Sequence, residues 1–386
     1  MKHCALLLFA AATFPGFGQS FRPDPVTNPS AKASVQPNLS VAPDGSVVLS
    51  WVEPAPNGSY ALRYAVRRRT QWSEAHTIAS RPHFFRQPAE LPEVVAITDK
   101  LWMAHWVEMP NESSEAENVY VSSSSDGVHW TTPSIAHQDR SPVQHGLVSM
   151  AASGPDEISL IWLEALHGED SPTYLMRTIV NASGKEVREE RLDGDVCACC
   201  PTTIVRTAKG LLIAYRGHTP QDIRDISVVR FENGKWSQPK TLNADNWKLN
   251  ACPTNAAAVA AKGDRVAVAW FTGAQDSPRV QIAFSSDSGS TFGKPTLVST
   301  GRAFGYTSVA LDDDGSAIVS WLEQGGQDGA RVMVRQVTPA GAAGPVARVA
   351  EGGRMALGYP RLAHSSSGTF IAWGDPKQVQ TAQLKK

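Results

Sequence analysis

One unit recurs seven times along this chain, and it restricts the fold more than any other feature. The unit is an apolar stretch, a short turn, and an alternating strand that ends on an aromatic residue. Its copies read PNLSVAPDGSVVLSW, PEVVAITDKLWMAHW, GLVSMAASGPDEISLIW, CPTTIVRTAKGLLIAY, CPTNAAAVAAKGDRVAVAW, YTSVALDDDGSAIVSW and YPRLAHSSSGTFIAW. The closing aromatics are Trp51, Trp106, Trp162, Tyr215, Trp270, Trp321 and Trp373, spaced 51 to 56 residues apart. Short strands repeated at about this period build propeller blades, small sheets that bury their faces only against their neighbours. A third strand follows most copies, as in YALRYAVRR, ENVYVSSSS, RDISVVRF, RVQIAFSS and ARVMVRQV, and then a weaker fourth. With the strands lettered A to D from the axis outward, the chain reads as all-β, a single β-propeller of four-stranded blades. The count is seven blades, or six if one unit is irregular. The seventh unit ends after its third strand, at QVQTAQLKK, so the segment before residue 37 is expected to supply the missing outer strand. That closure would leave no exposed sheet edge. No helical period competes.

The first residues, MKHCALLLFAAATFPGFGQS, have a short basic end, an apolar run too short to span a bilayer, and then Pro15 and small residues. This is the pattern of a secretory signal peptide over residues 1–18, with the propeller over residues 19–386 and a periplasmic or secreted location. No later segment reads as a membrane span. A net charge of -1 gives no basic face for nucleic acid or a membrane surface. No Gly-rich phosphate loop or C-x-x-C-H motif implies a nucleotide, flavin or haem.

The turns between strands C and D carry a second motif. SSDSGSTF (Ser285, Asp287, Gly289, Thr291, Phe292) fits S-x-D-x-G-x-T-[WF], and SSDGVHW (Ser124, Asp126, Gly127, Trp130) is a shortened form. Segments ending at Trp72 and Trp236 look eroded. In such a turn the Asp accepts bonds from turn amides, Gly permits the tight bend, and the aromatic packs between strands. On these motifs the chain resembles the sialidase-like Asp-box (BNR repeat) β-propellers over its mature length. It also resembles exported bacterial proteins labelled sialidase-like, which carry E-H-G-F-V-S, V-C-D-C-C-Q-T, E-I-R-D-I and G-C-P-V-N-G-P. The matching stretches are QHGLVS, VCACCPT, DIRDI and ACPTN, with departures at Gln144, Ala198, Pro201 and Thr254.

Strand direction alternates within a blade, so B–C and D–A connections share the face opposite the Asp-boxes. That face collects Cys197, Cys199, Cys200, Cys252, His137, His145, Tyr306 and Tyr359 at the heads of A strands. It also collects Arg216, His218, Asp222, Arg224 and Asp225 from the YRGHTPQDIRD connection. Glu53, Glu108, Glu164, Glu323 and Asp375 each follow a blade aromatic by two positions. Loops of many blades converge at such a mouth, which makes it the expected ligand site. The expected ligand-binding residues are Arg216, His218, Asp222, Arg224, Asp225 and Asn255. The Glu residues also have a plain reading, as markers of strands re-entering water.

The cysteines have three readings: structural disulfides, a metal site, and redox or free thiols. Cys200 and Cys252 both open Cys-Pro-Thr, one repeat apart, on inner strands that converge at the axis. Four mature cysteines allow three full pairings, which sequence does not distinguish. If Cys252 pairs with Cys199 or Cys200, Cys197 is left with its near neighbour. In the metal reading, Cys197, Cys199, Cys200 and Cys252 with His145 offer thiolate-rich ligands for Zn or Cu(I). Export favours disulfides.

Two functions follow. The first is an exported binding propeller whose mouth takes a small molecule, a glycan or a partner protein, without sialidase chemistry. The second is an exo-alpha-sialidase or related glycoside hydrolase acting on anionic sugars. The resemblance implies a substrate carboxylate held by three Arg, a Tyr nucleophile paired with a Glu, and an Asp acid/base. GYTSVALDDDG offers Tyr306, and Arg216, Arg224, Arg302 and Arg354 lie on or near the mouth. The F-R-I-P signature is poor: FRQP (Phe85 to Pro88) lies ahead of the second A strand, and no Asp stands out as the acid.

Overall fold

A computed structural model describes residues 20–166, 171–326 and 329–386. The expected signal peptide, residues 1–18, lies outside the described residues. The described strands form seven separate antiparallel sheets, one per repeat. Inner strands begin at Val35–Val41, Glu93–Thr98, Gln144–Ala152, Thr203–Thr207, Ala257–Lys262, Ala303–Leu311 and Arg361–Ser365. Each touches the next around the axis, and the first touches the seventh, so the sheets form a closed ring. In the seventh sheet the outer strand is N-terminal: Arg22–Pro25 pairs with Gln380–Lys385. Asn28 and Ser30 extend this seam by donating to the Val379 carbonyl.

The second strands explain the period. Trp51, Trp106, Trp162, Tyr215, Trp270 and Trp321 are buried there, each in an apolar layer against a neighbouring blade. A blade cannot bury such a residue alone, and burying a large aromatic is worth a few kcal/mol. Trp373, in the last blade, is only half-buried.

The Asp-box turns join strands C and D as the motif requires. The Ser285 hydroxyl accepts the Gly289 amide, and Asp287 accepts the Thr291 amide and hydroxyl. Ser124 accepts the Gly127 amide, while Asp126 accepts the amides of Val128 and His129. Bonds from Thr291 hold the Asp287 carboxyl, and bonds from His129 the Asp126 carboxyl, well below the usual carboxylate range. Phe292 and Trp130 pack at the rims of apolar layers. No helix among the described residues is long and apolar enough to cross a membrane.

Candidate functional site

At the mouth face several inner strands begin with a bulge. Leu147, Thr254 and Tyr306 have positive φ, as does Gln36 in the first blade. The pairing registers shift beside Gln36, Leu147 and Tyr306. Such bulges bend a strand and re-aim its side chains. Side chains from the preceding blade hold two of them. The Leu147 amide donates to Glu90 Oε2 at 2.5 Å, and the Tyr306 amide to Asn255 Oδ1 at 2.8 Å. A glycine precedes each bulge because a carboxyl or amide group comes in there. A Cβ at Gly146 would lie 2.3 Å from Glu117 Oε2, and one at Gly305 1.9 Å from Asn255 Oδ1.

Beside the third-blade bulge opens a pocket of about 190 Å³, lined among others by Phe85, Gln87, Glu117, Gln144, Cys199 and Thr254. No Arg or Lys lines it among the described residues. Glu90 lies fully buried beneath it, its carboxyl engaged by the amides of Leu147 and Val148. Glu117 differs. It is nearly buried, yet its carboxyl makes no hydrogen bond to a described residue and opens on the pocket. Burial, with the Glu90 carboxylate close by, pushes its pKa up to about 8. Neither acid stood out in the sequence, because each lies in a polar connection beside other Glu residues, Glu90 near Glu93 and Glu117 near Glu112 and Glu115; only the glycine of HGLVS hints that something fills that space.

Cys199 and Cys252 form a disulfide with Cα atoms 5.9 Å apart, at the rim of this pocket. Cys197 and Cys200 stay as buried free thiols with sulfurs 3.6 Å apart. The pairing with Cys252 thus falls on Cys199, not on Cys200, although Cys200 matches it in the repeat. The Asn255 amide donates to Cys200 Sγ at 3.3 Å, tying that thiol into the wall of the ring. Hydrogen bonding to Cys200 draws the Cys197 thiol below the usual range, and burial pushes Cys200 up. With one bond made, Cys197 and Cys200 remain as the free thiols of the cluster. His145 stands among carboxylates: its ring faces Asp139 and Glu164.

The expected ligand residues divide. Arg216 is buried, and its Nε, Nη1 and Nη2 donate to the carbonyls of Asn255, Arg224 and Phe271. Asp225 accepts the amides of Asn246 and Trp247, and Asn255 serves the bulge at Tyr306. These three side chains face the protein and brace blades four to six. His218, Asp222 and Arg224 are half-buried: His218 contacts Asp195 at 2.7 Å and Asp222 at 3.5 Å, and Arg224 donates to the Leu249 carbonyl.

Of the residues a sialidase would use, Tyr306 is buried and its hydroxyl accepts from Arg354 Nη2 at 3.1 Å. Arg302 is exposed. Arg86 of FRQP stacks 3.7 Å from the Tyr60 ring centre. It lines a second mouth cavity of about 280 Å³ with Gln36, Met355 and Tyr359.

Ring closure, Asp-box turns and a mouth pocket set off by strand bulges define a seven-bladed sialidase-like propeller. The BNR repeat-like domain matches residues 59–370, most of the chain, and the chain belongs to that family. No curated relative matches the sequence. A protein of unknown function from Dyadobacter fermentans is similar, with TM-score 0.53 and 14% identity over 96% of this chain and 100% of that one. A Hadza microbial sialidase has TM-score 0.51 and 13% identity, over 84% of this chain and 73% of its own. Identities this low establish the fold alone.

Proposed function

We propose that this is an exported binding propeller whose mouth pocket takes a neutral glycan or similar hydroxyl-rich ligand, without sialidase chemistry. One observation carries the reading: an unpartnered Glu117 carboxyl opens on a pocket that no Arg or Lys lines among the described residues. A sialic acid carboxylate calls for cationic partners in a planar fork. Sugar hydroxyls are served by a carboxyl and the Gln87 and Gln144 amides, and the C–H face of a sugar ring by the Phe85 ring, all present. Export is supported by the leader-like N-terminus and by the Cys199–Cys252 disulfide, since such bonds persist in oxidising compartments. Calorimetric titration with neutral oligosaccharides tests the reading. Binding that falls at least tenfold in Glu117→Ala supports it. Absence of binding across a broad neutral panel sinks it.

The exo-sialidase reading rests on a specific contact, the Arg354 guanidinium donating to the Tyr306 hydroxyl. Release of sialic acid by purified protein, lost in Tyr306→Phe, would favour that reading over binding alone.

A further inference from the structure

The blades act as controls for one another. In blades one, two and six the Trp indole donates to the Glu two residues later: Trp51 to Glu53 at 2.6 Å, Trp106 to Glu108 at 2.6 Å, and Trp321 to Glu323 at 3.2 Å. Blade three has the same pair, Trp162 and Glu164, but there the indole contact with the carboxyl is weaker and falls outside hydrogen-bond geometry. Trp162 Nε1 and Glu164 Oε2 are both buried without a hydrogen-bond partner. Glu164 turns instead toward His145 Nε2, 3.6 Å away. This is too long for a hydrogen bond.

His145 Nε2 is the third orphan atom. The ring is fully buried, its Nδ1 lies 3.0 Å from the Glu117 carbonyl, and Nε2 has no partner. A carbonyl only accepts, so Nδ1 carries the proton and Nε2 presents a lone pair. Asp139 Oδ2 closes the group at 3.7 Å from Nε2, and its carboxyl is fixed by the Ser141 amide and hydroxyl. The His137 ring stacks on His145, centres 3.8 Å apart and planes within 6°, and locks its orientation. Three groups that each have a spare lone pair therefore converge, with ligand atoms within 4.8 Å of one another. Buried polar atoms in folded proteins are mostly satisfied, and of the fifteen buried side-chain atoms without a partner among the described residues three meet in this one cluster.

We infer that Asp139, His145 and Glu164 form a site for a divalent transition cation, with Zn²⁺ as the best match. Zn²⁺ binds imidazole nitrogen and carboxylate oxygen at about 2.0–2.2 Å, which sets ligand atoms roughly 3.3–3.5 Å apart in a tetrahedron. The separations of 3.6 and 3.7 Å need only a few tenths of an ångström of contraction. One nitrogen and two carboxylates leave a fourth position open, as in sites where the metal also takes water or a ligand. The Nδ1 contact with the Glu117 carbonyl is the outer-shell support that such histidines have. The site shares no ligand with the cysteines and does not depend on what the mouth pocket binds.

The test is titration of chelator-treated full-length mature protein with ZnCl₂, followed by calorimetry and thermal melting. It is run on the wild type and on a Cys197→Ser/Cys200→Ser variant. One equivalent bound by both, with a raised melting temperature, is expected. Affinity should fall at least tenfold in Glu164→Gln and in Asp139→Asn. The Asp139 side chain is 36% exposed, so that variant folds even if the buried change does not. Substituted Co²⁺ should show ligand-field bands without thiolate charge transfer. No saturable binding would overturn the site, as would binding unchanged in Asp139→Asn or abolished by the cysteine variant.

Discussion

At the scale of single residues, the blade Glu residues turn out to have individual jobs. Glu53 accepts the Trp51 indole, the Ala31 amide and the Arg63 guanidinium, so it joins the N-terminal segment to the first blade. Glu53→Ala strands a buried indole donor and an amide together. It should cost about 3 kcal/mol in chemical denaturation, since removing one member of a buried charged network leaves the others unpaired. The sequence marked Trp-x-Glu as a recurring pair, which was legible because it repeats. It did not separate Glu164 from the others, because the difference lies in which neighbour each carboxylate turns to. Glu90 and Glu117 had no pattern at all. Their place comes from the bulge at Leu147 and from a loop of the adjacent blade, both tertiary facts.

At the scale of elements, the C–D turns and the cysteine pair staple blades whose inner strands meet only at their edges. Ser285 is buried and serves two turn amides, those of Asp287 and Gly289. Ser285→Ala should therefore lower stability by about 1–2 kcal/mol, read as a shift in denaturation midpoint at unchanged slope. The disulfide ties the entry of blade four to that of blade five across 53 residues. Cys252→Ser should cost about 2–4 kcal/mol, mostly by freeing the unfolded chain. Intact mass of protein alkylated under denaturing conditions should show one bond and two added labels. Repeat arithmetic put Cys252 near the 197–200 cluster, and this was as far as spacing reaches. Which sulfur bonds depends on the turn at Ala198 and on Asn255, whose amide engages Cys200.

At the scale of the whole molecule, period and ring closure were the most legible features, because a steady repeat of strand pairs has few ways to bury itself. The seam is thin, since four residues, Arg22–Pro25, supply the outer strand of the seventh sheet. Deleting residues 20–27 would leave Gln380–Lys385 as a bare edge. The truncated protein should melt at a lower temperature and elute partly as oligomers, because unpaired edges recruit other chains. Unchanged melting and a purely monomeric profile would show that the ring closes without this strand. Function was least legible, because it depends on where the arginines point. The sequence places four Arg on or near the mouth, but Arg216 is spent on three carbonyls and Arg354 on Tyr306.

The most direct measurement is a side-by-side titration of mature protein with neutral oligosaccharides and with a sialylated trisaccharide, following both heat and release of free sialic acid. A mouth built around Glu117 should bind a neutral glycan, lose it in Glu117→Ala, and neither prefer nor cleave the sialylated one. Binding confined to the sialylated sugar, or its cleavage with loss in Tyr306→Phe, would contradict a neutral-glycan pocket.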